Sequence, residues 1–334
     1  QRYAVDSVDK HVMSQVQSSR LGGVAVAMSV LLSKGFLIMN GYRDSNALAP
    51  LEYFGLYGWE HSGAFLGLLD DLRNNSLSPS ARLASKSLFL WIVVTFSPGL
   101  VASSICLWGI EWLLGFSWVA LLVALFFSVG FINAVNTVDG ANGLVSGIFV
   151  ITSFIFMSET NNIPHQSGFF GASLFLLFNV ISGRLCLSDA GYYGVGSAML
   201  LSGLVALDAG IIIAFLTALY FYPCADFSVS LLRRWHSGAS LTEPDIDIYI
   251  AVLTPSLGAS LDQKNRELGK GLSIVLGSFG LALFIYLADY IPLSSNLWLW
   301  VFALQSSFYS LFFMSIGKPK QALIAPELVH RALV

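Results

Sequence analysis

The sequence predicts an all-α integral-membrane protein, a polytopic bundle of about ten transmembrane helices, and three observations predict it. Of 334 residues, 55% are hydrophobic and only 11% charged, against roughly a quarter charged in soluble domains. Apolar segments of near-spanning length recur from residue 21 to residue 315. Lys and Arg then fall almost entirely on one side of the resulting arrangement. A net charge of -3, with no basic run longer than Arg233-Arg234, excludes a nucleic-acid footprint. Cys106, Cys186 and Cys224 are scattered and odd in number, so neither a disulfide framework nor a CxxC metal site is indicated.

A helix needs roughly 20 apolar residues to cross a bilayer, and shorter or tilted spans are tolerated inside a bundle. The expected spans are 21–40, 51–69, 87–107, 114–133, 143–158, 168–183, 194–208, 209–223, 271–290 and 297–315. The second contains Glu60 and His61, and the seventh and eighth share one apolar stretch interrupted at Asp208-Ala209-Gly210. Charge decides between one helix and two there, because Lys and Arg in short loops stay on the cytoplasmic side. With the stretch split and the N-terminus inside, every Lys and Arg except Lys34 and Arg43 is cytoplasmic. Merging it would send Arg233, Arg234, Lys264, Arg266 and Lys270 to the opposite face, so two spans are expected. The whole of 1–334 then reads as one membrane domain, with 224–270 as its large cytoplasmic loop.

The carboxylate-rich segments collect on that same face. Asp70-Asp71 closes the second span, and adjacent acids at a membrane boundary are costly unless a cation, a proton or a basic partner offsets them. Mg²⁺ held by one or two carboxylates and substrate phosphates suits this pair. In Asn133-Ala134-Val135-Asn136-Thr137-Val138-Asp139-Gly140-Ala141-Asn142-Gly143, Asn133 and Asn136 share a helix face within reach of Asp139, and the glycines let backbone approach a ligand. Gly183 to Gly194 presents Asp189 in a small-residue loop just before a span. Tyr222-Pro223-Cys224-Ala225-Asp226 leads to Arg233, Arg234 and His236. Each segment alone has a plain explanation as a cap, a turn or a topological charge. Gathered on one face beside several arginines, they suit metal-assisted phosphoryl transfer better than a mid-membrane transport pathway, and no internal repeat of the transporter kind is visible.

In order along most of the chain, these motifs resemble those of the polyprenyl-phosphate N-acetylhexosamine-1-phosphate transferases, the family that includes the phospho-N-acetylmuramoyl-pentapeptide transferases. Lys10-His11 with Ser19-Arg20-Leu21-Gly22-Gly23 is similar to the family's first cytoplasmic loop, and Leu68-Leu69-Asp70-Asp71 to its paired-Asp motif. Asn133 to Leu144 resembles NAxNxxDGxDGL, the most specific of the set, and Leu187 to Gly191 resembles its GDxG loop. The resemblance implies transfer of a sugar-1-phosphate from a UDP-sugar to undecaprenyl phosphate or a related lipid, with release of UMP, in cell-envelope polysaccharide synthesis. It implies Mg²⁺, with Mn²⁺ as a substitute, and a place in the bacterial cytoplasmic membrane with the site facing the cytoplasm. It also implies a further span ahead of Gln1 and is compatible with a homodimer. By resemblance Asp189 is the metal ligand, Asp70, Asp71 and Asp139 are catalytic, and Asn133, Asn136, Asn142, Arg233, Arg234 and His236 bind substrate.

The chain departs from the family at three places. Asn142 stands for the second Asp of DGxDG, and Ser188 for the Gly before Asp189. Where histidines of a late HxH signature are expected, the chain reads Ile246-Asp247-Ile248-Tyr249-Ile250, whose alternation suggests a strand or interfacial segment. Two expectations follow: a working transferase whose diphosphate contacts come from Arg233, Arg234 or His236, or a catalytically silent homologue that acts as a binding or assembly partner.

Overall fold

A computed structural model describes residues 21–42, 50–72, 78–96, 111–138, 143–160, 162–182, 187–238 and 279–316. All regular structure among them is helical. The order is α1 (Gly22–Met39), α2 (Pro50–Leu72), α3 (Pro79–Phe96), α4 (Glu111–Leu114), α5 (Ser117–Thr137), α6 (Leu144–Glu159), α7 (Ile163–Ser182), α8 (Ser188–Asp208), α9 (Ile213–Leu219), α10 (Phe221–Ser237), α11 (279–287) and α12 (Trp298–Ile316). Three of these, Gly22–Met39, Ser117–Thr137 and Ser188–Leu207, are long and apolar enough to cross a membrane by length and composition, and the bent pair α9 and α10 adds a fourth if it counts as one span. Large apolar side chains such as Phe126, Phe127, Leu177, Trp300 and Phe308 are exposed. Water would penalise such a surface and lipid does not, so this is a helical membrane protein.

Helix α8 is the axis of the bundle. It is buried along most of its length, whereas α1 and α5 are buried on one side, and it packs against α2, α1, α5 and α6. Its sequence, SDAGYYGVGSAMLLSGLVALD, explains this position. Small residues let helices approach to backbone contact, the main source of helix association where lipid offers apolar side chains no gain from burial. A Cβ built on Gly23 of α1 would lie 2.0 Å from the Gly191 nitrogen, and one on Gly67 of α2 would lie 2.2 Å from the Asp189 carbonyl oxygen. A side chain larger than hydrogen cannot occupy either site without moving a helix. The main core surrounds α6, α8 and α9, and a smaller cluster of Leu90, Val93, Ile132 and Tyr193 joins α3, α5 and α8.

The break expected at Asp208-Ala209-Gly210 is present. Gly210 has φ +94, in the left-handed region that favours glycine, and α9 begins three residues later. The eighth expected span, 209–223, is not one straight helix, because α9 and α10 meet at Tyr220 with a 76° bend. Pro223 accounts for it: proline has no N–H to donate to the Leu219 carbonyl and its ring would crowd that group, so the chain restarts a helix in whose first turn proline is tolerated. The segment expected as a loop from 224 is therefore helical to Ser237, where Gly238 at φ +69 ends it. Trp298 of α12 packs edge-on against Phe215 of α9 with centroids 4.7 Å apart, and its indole donates to the Pro292 carbonyl at 3.0 Å.

Candidate active site

The end of the bundle where α2 finishes and α8 starts brings four helices to one place. Two acids in a row cannot both be buried without partners, and each has one. Asp70 is fully buried and pairs with Arg82 of α3, Nη2 to Oδ2 at 2.6 Å. Asp71, also buried, accepts the backbone N–H of Ala190 at 3.0 Å. That amide is the third of α8, one of the donors that a helix start leaves unsatisfied, and the α8 N-cap residue, Leu187, has no side chain able to accept it. Ser188 is held at φ 56, a left-handed conformation costly for any residue but glycine, and its hydroxyl donates to the Leu187 carbonyl at 2.6 Å. The glycine of the resembling motif thus meets a backbone need that Ser188 meets under strain.

Asp189 follows in the first turn of α8. It is half-buried, and among the described residues its carboxylate makes no hydrogen bond or salt bridge. Asp71, Arg82, Asp70 and Lys86 all act on its charge. Lys86, one turn beyond Arg82 on α3, is buried, donates to Asn133 Oδ1 at 2.7 Å, and lies 3.7 Å from the centre of the Tyr193 ring. Burial and the neighbouring Arg82 oppose an ammonium charge, and Asp189 and Asp70 support it. The site therefore offers two cations set into the protein wall, Arg82 and Lys86, beside one uncommitted carboxylate. Arg and Lys side chains make strong charge-assisted hydrogen bonds to phosphate, and a carboxylate beside them is the kind of group that binds a divalent cation.

Of the sequence candidates, Asp70, Asp71, Asp189 and Asn133 meet here. Asn136 is half-buried one turn further along α5. Asp139 and Asn142 lie outside the described residues, just past the end of α5, as does the segment 246–250. Arg233, Arg234 and His236 are in the last two turns of α10, with His236 exposed; the cations acting on Asp189 come from α3 instead. Asp226 is buried and accepts the Tyr309 hydroxyl, tying α10 to α12. Arg82 and Lys86 are candidate site residues that the sequence reading used only as topological charges. The available signal was their spacing, which puts two cations on one helix face just after an acidic pair.

Residues 55–224, just over half of the chain, match the family model described as glycosyl transferase family 4. The chain belongs to that family. Every residue of the cluster falls inside the matched segment, and Arg233, Arg234 and His236 fall beyond it. Among similar proteins is a phospho-N-acetylmuramoyl-pentapeptide-transferase of Clostridioides difficile, 24% identical over 217 residues, 60% of this chain and 64% of that protein. The protein of the same name from Clostridium acetobutylicum is 26% identical over 211 residues, 59% of this chain and 64% of the relative. That of Oceanobacillus iheyensis is 28% identical over 196 residues, 54% and 58% of the two chains. The chain spans somewhat under two thirds of the length of these relatives.

Proposed function

We propose that this protein transfers an N-acetylhexosamine-type sugar-1-phosphate from a UDP-sugar to a polyprenyl phosphate such as undecaprenyl phosphate, releasing UMP, at the cytoplasmic face of a bacterial inner membrane. The observation that carries the reading is the Asp189 carboxylate, with no hydrogen bond or salt bridge among the described residues, beside Arg82 and Lys86 at the end of the bundle where the acidic pair and Asn133 also converge. In the reaction, an oxygen of the lipid phosphate attacks the sugar-bearing phosphorus of the UDP-sugar. The bond from that phosphorus to the bridging oxygen breaks, and UMP leaves with the oxygen. Catalysis of such a step is mostly positioning and charge neutralisation.

Among the described residues no three His, Cys, Asp or Glu side chains are gathered to hold a metal by themselves. Mg²⁺ does not require that, since it binds through one or two carboxylates and completes its shell with water and substrate phosphate. Asp189 fits that donor set, and Asp139 is assigned beside it on the resemblance of its motif. Mg²⁺ at this site would neutralise the diphosphate oxygens and the charge developing on the leaving UMP. Lys86 and Arg82 would donate charge-assisted hydrogen bonds to the substrate phosphate oxygens. Asp70 fixes the Arg82 guanidinium, and Asn133 fixes the Lys86 ammonium, each in a direction set before substrate arrives. Asn136, Asn142, Arg233, Arg234 and His236 are assigned to the nucleotide and sugar.

The accompanying topology has about ten spans, with the segments at 70–86, 133–143, 184–193 and 239–270 in the cytoplasm. It is supported by a cleft of about 640 Å³ whose lining, including Glu159, Thr160, Gly210, Tyr286 and Asp289, is drawn from the segments that this topology puts on the outer side. Two experiments test the proposal. Full-length protein in membranes, given radiolabelled UDP-N-acetylhexosamines and undecaprenyl phosphate, should form a Mg²⁺-dependent lipid-linked sugar; no product with any UDP-sugar would favour the silent homologue. Single cysteines at 75 and 160 should react with impermeant reagents from opposite sides of the membrane, and labelling from the same side ends the topology.

A further inference from the structure

We infer that Asp71 is a positioning residue, which caps helix α8 from a neighbouring helix and so holds Asp189 in place, and is neither a metal ligand nor a proton carrier. The inference rests on the reading of Asp189 as the residue that meets the metal. It starts from a row on α2. Gly63, Gly67 and Asp71 are spaced at i, i+4 and i+8, so they lie on one face, and all three meet α8. A Cβ on Gly63 would lie 2.6 Å from the Tyr193 carbonyl oxygen, and one on Gly67 would lie 2.2 Å from that of Asp189. The two glycines bring the α2 and α8 backbones into contact, and that contact delivers the next residue of the row to the first turn of α8.

At that point α8 needs an acceptor. A side-chain oxygen at the N-cap ordinarily takes the N–H of the second or third helical residue, but the N-cap is Leu187. Asp71 Oδ2 takes the Ala190 N–H instead. A negative charge there also complements the positive end of the α8 dipole. The neighbouring Ser188 is held in a left-handed conformation, and such strain persists only where the surroundings impose it. The far side of the turn is pressed by α1, where Gly23 approaches Gly191. Asp189 therefore sits on a turn fixed by α1, by the α2 glycines and by the Asp71 hydrogen bond, and of these three only the hydrogen bond can be removed without a collision. Asp71 does chemistry in this scheme only through the geometry it imposes.

Asparagine keeps the acceptor oxygen and discards the charge, whereas alanine discards both. Full-length protein in detergent, without metal, is compared by hydrogen exchange read on peptides covering 187–195, together with transfer activity. Asp71→Ala should speed exchange of the Ala190 amide at least tenfold, and Asp71→Asn should stay within about threefold of the wild type. Transfer should fall at least a hundredfold in Asp71→Ala and by no more than about tenfold in Asp71→Asn, while Asp189→Asn abolishes it. Unchanged exchange in Asp71→Ala overturns the capping role. Loss of transfer in Asp71→Asn as complete as in Asp189→Asn, with the amide still protected, makes Asp71 a direct participant and also overturns it. If the wild type transfers nothing, the sugar-1-phosphate reading falls, and the exchange comparison alone still upholds or rejects the cap.

Discussion

The two polar ends of this bundle are built in opposite ways. At the Asp189 end the ionisable side chains around Asp189 are set into the protein and matched: Asp70 to Arg82, Asp71 to a backbone amide, Lys86 to Asn133 and an aromatic face. At the Glu159 end, Tyr286 donates to Glu159 at 2.6 Å and also bonds Ser158 at 2.7 Å, but Ser158 and Glu159 are exposed, and Glu159 and the half-buried Tyr286 border an open cleft. Exposed charges are screened by water, and their pairings contribute little. Buried ones act on each other strongly and are expensive to leave unmatched. Both ends carry acids, so acidity alone does not mark a site. What separates them is that one end spends burial on holding charges in fixed directions.

Breaking the charge pattern at the buried end should have the largest effect. Lys86→Ala is expected to lower transfer by on the order of a hundredfold to a thousandfold, with the protein still folded by circular dichroism. An effect under threefold would remove Lys86 from the phosphate contacts. Arg233→Ala with Arg234→Ala, tested in the same assay, sharpens this: a loss equal to that of Lys86→Ala would show that the α10 cations share the role. Breaking the packing comes next. Gly67→Ala puts a methyl group into the Asp189 backbone, and overpacking of this kind costs about 1–3 kcal/mol; thermal unfolding should show it, with transfer reduced as Asp189 shifts. Relieving strain is smaller and has the opposite sign. Ser188→Gly should raise stability by about 1 kcal/mol, and a lower unfolding temperature would mean that the left-handed backbone at 188 costs nothing. At the other end, Tyr286→Phe should change stability by less than about 0.5 kcal/mol and leave transfer at the wild-type rate.

Much of the buried end is legible in the sequence, for a physical reason. Asp70, Asp71, Asn133 and Asp189 are polar groups at the edges of apolar segments, where lipid gives them no other explanation. Arg82 and Lys86 sit at a similar edge, but there the topological role of basic residues already accounts for them, and so their chemistry is masked. Their partners, Asp70 and Asn133, are set by the way α2, α3 and α5 pack, which no local pattern encodes. The same division holds for the backbone. The break at Asp208 to Gly210 reads directly from a polar group and a glycine, whereas the bend at Tyr220 depends on a proline three residues later that the apolar run conceals. The left-handed backbone at 188 is written in the family's glycine, and this chain has a serine there.

The central claim is that a divalent cation and phosphate chemistry belong to the Asp189 end. Iron-directed cleavage measures that most directly: Fe²⁺ takes the place of Mg²⁺ in the full-length protein, peroxide and ascorbate generate hydroxyl radicals at the bound ion, and the backbone cuts are mapped. The expected cuts fall beside Asp70 and Asp71, near Asp139 and beside Asp189, are suppressed by excess Mg²⁺, and disappear in Asp189→Asn. Cuts concentrated beside Glu159 and Asp289, or a pattern that Asp189→Asn leaves unchanged, would contradict it.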